Sequence, residues 1–125
     1  MSEPMGELTI QTIAMPADTN ANGDIFGGWI VSQMDLAAGI LAKEISQGRV
    51  VTVAIHSMVF LKPVRVGDLV SCHVSLIKIG TKSMTIGVEV WTTMLASKAK
   101  VKVTEGTFVF VAIDEKGQGR VIVKS

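Results

Sequence analysis

The residues best suited to chemistry lie in NANGDIFGGWIVSQMDLAAG, residues 20–39. There Asp35 interrupts an apolar run that begins at the pair Gly27-Gly28. Asp35 shares a helical row with Val31, Ala38 and Ala42, beside Gly39, and these small neighbours leave the carboxylate a niche. A carboxylate drawn out of water usually gains a raised pKa and becomes a better proton acceptor near neutrality. A hydrogen-bonded structural aspartate is the equally simple alternative. The glycine pair offers unpaired amides and the positive dipole end of a helix, with no side chain to keep a ligand away. Its simpler reading is a turn chosen for backbone conformation. Asp35 follows Gly28 by seven residues, about two turns, so both face roughly the same side. Together they would supply a donor to a developing oxyanion and a base or nucleophile, the minimum equipment for acyl transfer.

Other polar residues make weaker patterns. Asn20, Asn22 and Asp24 would ordinarily cap the helix or tie their own loop together. His56 and His73 stand alone, without metal-ligand spacing, and Ser32 lacks a G-x-S-x-G context. Lys62, Arg65, Lys78, Lys82, Lys98 and Lys100 fall in or beside connections, as surface lysines and arginines do, and could receive phosphates only if the fold converges them.

The elements that must position these groups follow from periodicity. Leu8–Ala14 alternates as a first strand, and the loop Met15–Asp24 is dense in Pro, Asn, Asp and Gly. From Gly28 to about Ile45, Ile30, Met34, Ala37, Ala38, Leu41 and Ile45 form one helical stripe. Leu36 and Ile40 stand opposite, which predicts a helix buried on both faces and stopped at Gln47-Gly48. Strands follow at 50–60, 69–79, about 84–91 and 101–113. Short connections join them at Lys62–Asp68, Gly80–Lys82 and Leu95–Lys100. A Glu115–Gly117 turn leads to a short last strand through Val123. Short connections force antiparallel neighbours, so the fold class is α+β: a long helix wrapped by a curved antiparallel sheet of five to six strands.

Composition bounds the function. The 125 residues suit one domain spanning 1–125, and 48% hydrophobic against 18% charged residues argues for a real core. Aromatics make up only 5%, so aliphatic residues must fill it, and their abundance hints at apolar surface shared with another subunit. A net charge of +1 without a basic cluster argues against nucleic acid and anionic membrane as partners. The lone Cys72 excludes an internal disulfide and a cysteine metal site, and fits a reducing compartment. No apolar run approaches the roughly 18 residues of a membrane span, and no signal-like start is present. The expected setting is therefore cytoplasmic.

The stretch MPADTNANGDIFGGWIVSQMDLAAGILAKE, Met15 to Glu44, resembles the hotdog-fold acyl-CoA thioesterases, most closely their YciA-like branch. The likeness continues through GRVVTVAIHSMVFLKPVRVGD, GTKSMTIGVEVW and TEGTFVFVAIDEKG, and so covers nearly the whole chain. The resemblance implies the architecture just reached, a central helix in a sheet "bun". It also implies hydrolysis of an acyl-CoA to a free acid and CoA without a cofactor or metal, CoA being part of the substrate, and a place in fatty acid metabolism. By the same resemblance Asp35 is the base or nucleophile, and Gly28 with Gly27 supplies the amide that polarises the thioester carbonyl. Asn20 is the loop asparagine that works with the aspartate across a subunit interface. Gly80, Lys82 and Ser83 match the loop that contacts coenzyme A, and Lys62 approaches its nucleotide end. The family implies a homodimer as minimal unit, commonly assembled into a hexamer, a trimer of dimers. The chain departs from the family pattern at His56, where relatives tend to carry an acid. A His56 that lined the pocket would alter acyl preference or pH response. A non-catalytic acyl-CoA-binding hotdog protein is the rival reading. A hotdog hydratase or dehydratase fits less well, because the helix lacks the histidine such enzymes pair with an acid.

Overall fold

In the computed structural model, residues 3–94 and 96–123 are described. The elements run β1 (Glu7–Ile13), a 3₁₀ turn (Pro16–Asp18), α1 (Gly27–Ser46), β2 (Val50–Phe60), β3 (Leu69–Ile79), β4 (Ser83–Thr93) and β5 (Lys100–Ala112). The five strands form one sheet in the order β1-β3-β4-β5-β2, with every neighbouring pair antiparallel. The expected helix-in-sheet architecture is what the chain adopts, with five strands.

The helix lies close to the sheet because the residues it turns inward are small. Ala37, Ala38 and Ala42 are fully buried beside Ile30 and Met34. Gly39 faces the Phe110 ring, where a Cβ would stand at ordinary contact distance, 3.6 Å from Phe110 Cε2. The sheet answers with Met84, Ile86, Val88 and Val90 from β4 and Phe108 and Phe110 from β5, all buried as the alternation of β4 predicts. Cys72 sits in this core, and burial pushes its thiol up to about 12, which leaves it protonated and inert at neutral pH.

Two expectations need correction. The outer side of α1 is open: Leu36 is 57% and Ile40 42% exposed, because the sheet covers one side of the helix only. No further strand follows β5 among the described residues. The segment makes one isolated bridge, Ile113 with Gly119, because β5 already lies between β4 and β2 and offers no free edge. The helix stops where expected, after Ser46, with Gln47 in the left-handed conformation (φ 56, ψ 42) and its N–H donating to the carbonyl of Lys43. Of the connection expected at Leu95–Lys100, Leu95 lies outside the described residues.

Gly48 has another use. A Cβ there would stand 2.5 Å from Arg120 Nη2. The guanidinium fills that room and donates to the carbonyls of Ser46, Arg49 and Ile113 and to Ser46 Oγ. It thereby satisfies the last carbonyl of the helix, that of Ser46, where a cation also meets the negative dipole end. Arg120→Met is expected to lower unfolding free energy by about 2 kcal/mol. Urea denaturation checks this, and an unchanged midpoint would show the clamp to be dispensable.

Candidate active site

Helix α1 begins with backbone amides that no side chain caps. Its N-cap is Phe26 in an extended conformation, no side-chain cap hydrogen bond forms, and no acid stands in the first turn. The helix starts at Gly27, one residue earlier than periodicity suggested. The ring of Phe60 lies 3.3 Å from where a Gly27 Cβ would be, so the glycine admits an aromatic wall from the end of β2. Gly28 is exposed and meets only the Phe26 ring, at 3.4 Å from a notional Cβ. Among the described residues neither Gly27 N nor Gly28 N donates a backbone hydrogen bond outside the helix, as a site for a polarised oxygen requires.

Asp35 lies two turns further along, half-buried. Its Oδ1 accepts a 2.5 Å hydrogen bond from Thr52 Oγ1 of β2. Cross-strand partners share a face. Thr52 pairs with buried Phe110 and Ile55 with buried Phe108, which places both on the side of the sheet that holds the helix. One carboxylate oxygen is thus held, and no hydrogen bond to the other is present among the described residues. Thr52 is the functional candidate that the sequence reading missed. A threonine in a strand carries no signal of its own, and its partner lies 17 residues away.

The loop side chains behave as loop chemistry predicts. Asn20 Oδ1 accepts from the backbone N–H of Asn22 (2.9 Å) and of Asp24 (3.2 Å), and Asn20 N donates to Asp24 O at 2.7 Å. Asn20 therefore ties its own turn together and does not cap α1. That turn forms one wall of a cleft of about 350 Å³ at the helix N-terminus, which brings together Asn20, Gly27, Ile30, Phe60, Lys62 and Pro63. Asp35 is not among the lining residues.

The remaining candidates are spread out. Gly80-Thr81-Lys82 forms the β3–β4 hairpin loop, closed by Gly80 N donating to Ser83 O at 2.8 Å, with Ser83 as the first residue of β4. Ser83 pairs with Val111 and Val111 with Val51, so this loop lies two strands from the neighbour of Thr52, about 10 Å. Lys62 follows the opposite end of β2, about 30 Å away along the strand. Lys62 and Lys82 of one chain therefore do not converge. His56 pairs with Thr107 and is exposed on the sheet face away from Asp35. Among the described residues no group of three or more His, Cys, Asp and Glu side chains is arranged to hold a metal ion. None of their helices is long and apolar enough to cross a membrane.

Comparison with known proteins bears on the family and the fold. Residues 22–95 match the Thioesterase superfamily. The chain is 55% identical to the acyl-CoA thioester hydrolase YciA of Salmonella typhimurium over 120 residues, 94% of this chain and 90% of that one. It is 52% identical to the Escherichia coli enzyme of the same name over 122 residues, 95% and 92% of the two chains. A hexameric thioesterase from Yersinia pestis superimposes with a TM-score of 0.95 at 54% identity, over 98% of this chain and all 100% of that one. A hexameric broad-specificity acyl-coenzyme A thioesterase, solved as an aspartate-to-alanine mutant, gives 0.92 at 54% identity over 94% and 87%. With sequence and fold alike over nearly its whole length, the chain belongs to the thioesterase superfamily, whose hotdog fold it adopts, and stands among the YciA acyl-CoA thioester hydrolases.

Proposed function

We propose that this chain hydrolyses acyl-CoA thioesters to a free carboxylic acid and CoA, with Asp35 as general base. The observation that carries the reading is the Asp35–Thr52 pair on a helix whose N-terminal amides are uncapped, in a chain more than half identical to YciA hydrolases. Asp35 takes a proton from water as the water oxygen adds to the thioester carbon. Helix N-terminal amides at Gly27 and Gly28 stabilise the oxyanion, one such donor being worth about 3 kcal/mol in the barrier. Collapse expels the CoA thiolate, which takes up a proton. Nothing but water is consumed.

The working unit is a homodimer, and the hexameric assembly of its structural neighbours is the assembly proposed for it. β2 has a free edge over 11 residues, with Val51, Val53, Ile55 and Val59 all between 41% and 54% exposed. A long apolar edge of this kind needs a partner strand. Phe60 at one end of β2 lies by Gly27, and Thr52 near the other end holds Asp35. Antiparallel pairing of β2 with a second β2 would therefore carry a second copy's Asn20 loop and Lys62 toward the Asp35 end. That would complete the site across the interface and let Lys62 of one chain and Lys82 of the other address one substrate.

Free-thiol release from a panel of acyl-CoAs, from acetyl to palmitoyl and aromatic, tests the activity. Release above the spontaneous rate supports it. CoA binding without release from any member would overturn it in favour of a binding protein.

A further inference from the structure

The segment after β5 is a strap across one end of the molecule. Asp114 closes its turn by accepting from Lys116 N and Gln118 N through Oδ1, at 2.8 and 2.9 Å. The chain then returns along β5, where Arg120 N donates to Ala112 O at 2.9 Å. It crosses to the β3–β4 hairpin, where Ile122 N donates to Thr81 O at 2.8 Å and the Ile122 side chain is buried. The Arg120 guanidinium fastens the same strap to the end of α1. The strap thus touches the helix, β5 and the loop that carries Lys82.

Gly119 is the point of closest approach. A Cβ built there would stand 3.3 Å from Lys82 Cδ, 3.8 Å from Val111 Cγ1 and 4.0 Å from Lys82 Nζ. The Lys82 stem therefore lies across the glycine. Its backbone is fixed from the other side, since Ala112 N donates to Lys82 O at 2.9 Å. Gly117 in the same turn adopts φ +81, whereas Gly119 is not among the residues with positive φ. What Gly119 supplies is room and not a special backbone conformation. Lys82 is exposed and forms no salt bridge among the described residues, and its stem packs against Gly119.

We propose that Gly119 is a positioning residue that lays Lys82 along the strap and aims its ammonium at the phosphates of the substrate's nucleotide end. The proposal rests on the acyl-CoA reading above. Lys82 lies about two strands from the row that holds Thr52 and Asp35, a separation the pantetheine arm bridges between thioester and phosphates. A β-carbon at position 119 would press the Lys82 stem aside by a few tenths of an ångström, and the branched side chain of a valine by more, while leaving Asp35 and the helix N-terminus untouched.

The test is a double-mutant cycle read as KM for an acyl-CoA and for the matching S-acyl pantetheine, which lacks phosphates. Lys82→Met is expected to raise KM for the acyl-CoA about fivefold, with kcat and the pantetheine KM unchanged. Gly119→Val is expected to raise the acyl-CoA KM by a similar factor alone, and to add nothing in the Lys82→Met background. Gly119→Ala should fall between, about twofold, and serves if the valine variant proves unstable in thermal melting. A Gly119 effect that persists without Lys82, or that is equal for both substrates, overturns the proposal. So does an unchanged acyl-CoA KM in Gly119→Val and Gly119→Ala alongside a raised one in Lys82→Met. An unchanged KM in Lys82→Met would overturn the phosphate assignment of Lys82 and the proposal with it. Thiol release by the unmutated protein separately decides whether acyl-CoA is the substrate at all.

Discussion

Asp35→Asn is expected to lower kcat/KM about 10²- to 10⁴-fold, the contribution of a positioned general base, with little change in thermal midpoint. The exchange is isosteric. Asparagine keeps an oxygen able to accept from Thr52 Oγ1, so the contact between α1 and β2 survives while the proton acceptor is lost. The site is half-buried and flanked by Ala38 and Gly39, so no cavity opens and no charge partner is orphaned. The amides at Gly27 and Gly28 remain, and the residual activity measures what oxyanion stabilisation and binding supply alone. Thiol release under saturating and limiting acyl-CoA, beside circular dichroism of the variant, makes the measurement. Near-wild-type turnover in a folded Asp35→Asn protein would falsify the assignment. A single turnover in ¹⁸O-labelled water separates the two chemical roles of the unmutated residue. Label confined to the product acid fits general base catalysis, whereas label retained on Asp35 marks an anhydride.

How far the sequence could carry the argument depended on how local each cause was. The limits of β3, and the inward row Met84, Ile86, Val88 and Val90 of β4, follow from alternation, which needs only neighbouring residues. The small inward face of α1 was legible for the same reason. The strand expected to reach Val123 failed because the chain leaving β5 finds no free edge on that strand, which β4 and β2 pair on both sides. Leu36 and Ile40 misled because apolar residues on both sides of a helix look alike whether covered by the same chain or left open. Trp91 stands on the face opposite that row of β4 yet is buried, its indole N–H donating to Glu89 Oε1 at 2.9 Å. Within the candidate site, Asp35 and the glycines announced themselves by being out of place in an apolar run. His56 drew notice only as a departure from a family pattern, and the fold puts it on the far face. Asn20 carried two readings, and its side chain holds the loop that shapes the N-terminal cleft.

Thr52→Val is expected to reduce kcat about 10- to 100-fold with KM nearly unchanged, the range that follows from losing a hydrogen bond to a charged group. Valine matches threonine in shape and in strand preference, so β2 and its pairing with Phe110 persist. What disappears is the donor that fixes Oδ1 and, through it, the direction of the free oxygen that must meet water. A carboxylate without that anchor samples other rotamers, and each unproductive one subtracts from the rate and not from substrate binding. Thr52→Ser keeps the hydroxyl and is expected to return kcat to within about threefold. The serine rescue separates positioning from packing, because serine lacks the methyl group that valine retains. If the hydroxyl mattered only for stability, Thr52→Val would lower the unfolding midpoint while kcat per folded molecule stayed constant. If the methyl group were what counted, serine would fail and valine would work. Only the expected order, threonine about equal to serine and both well above valine in kcat, assigns to β2 the task of aiming the helix carboxylate. The sheet that wraps α1 would then be part of the catalytic geometry as well as its cover.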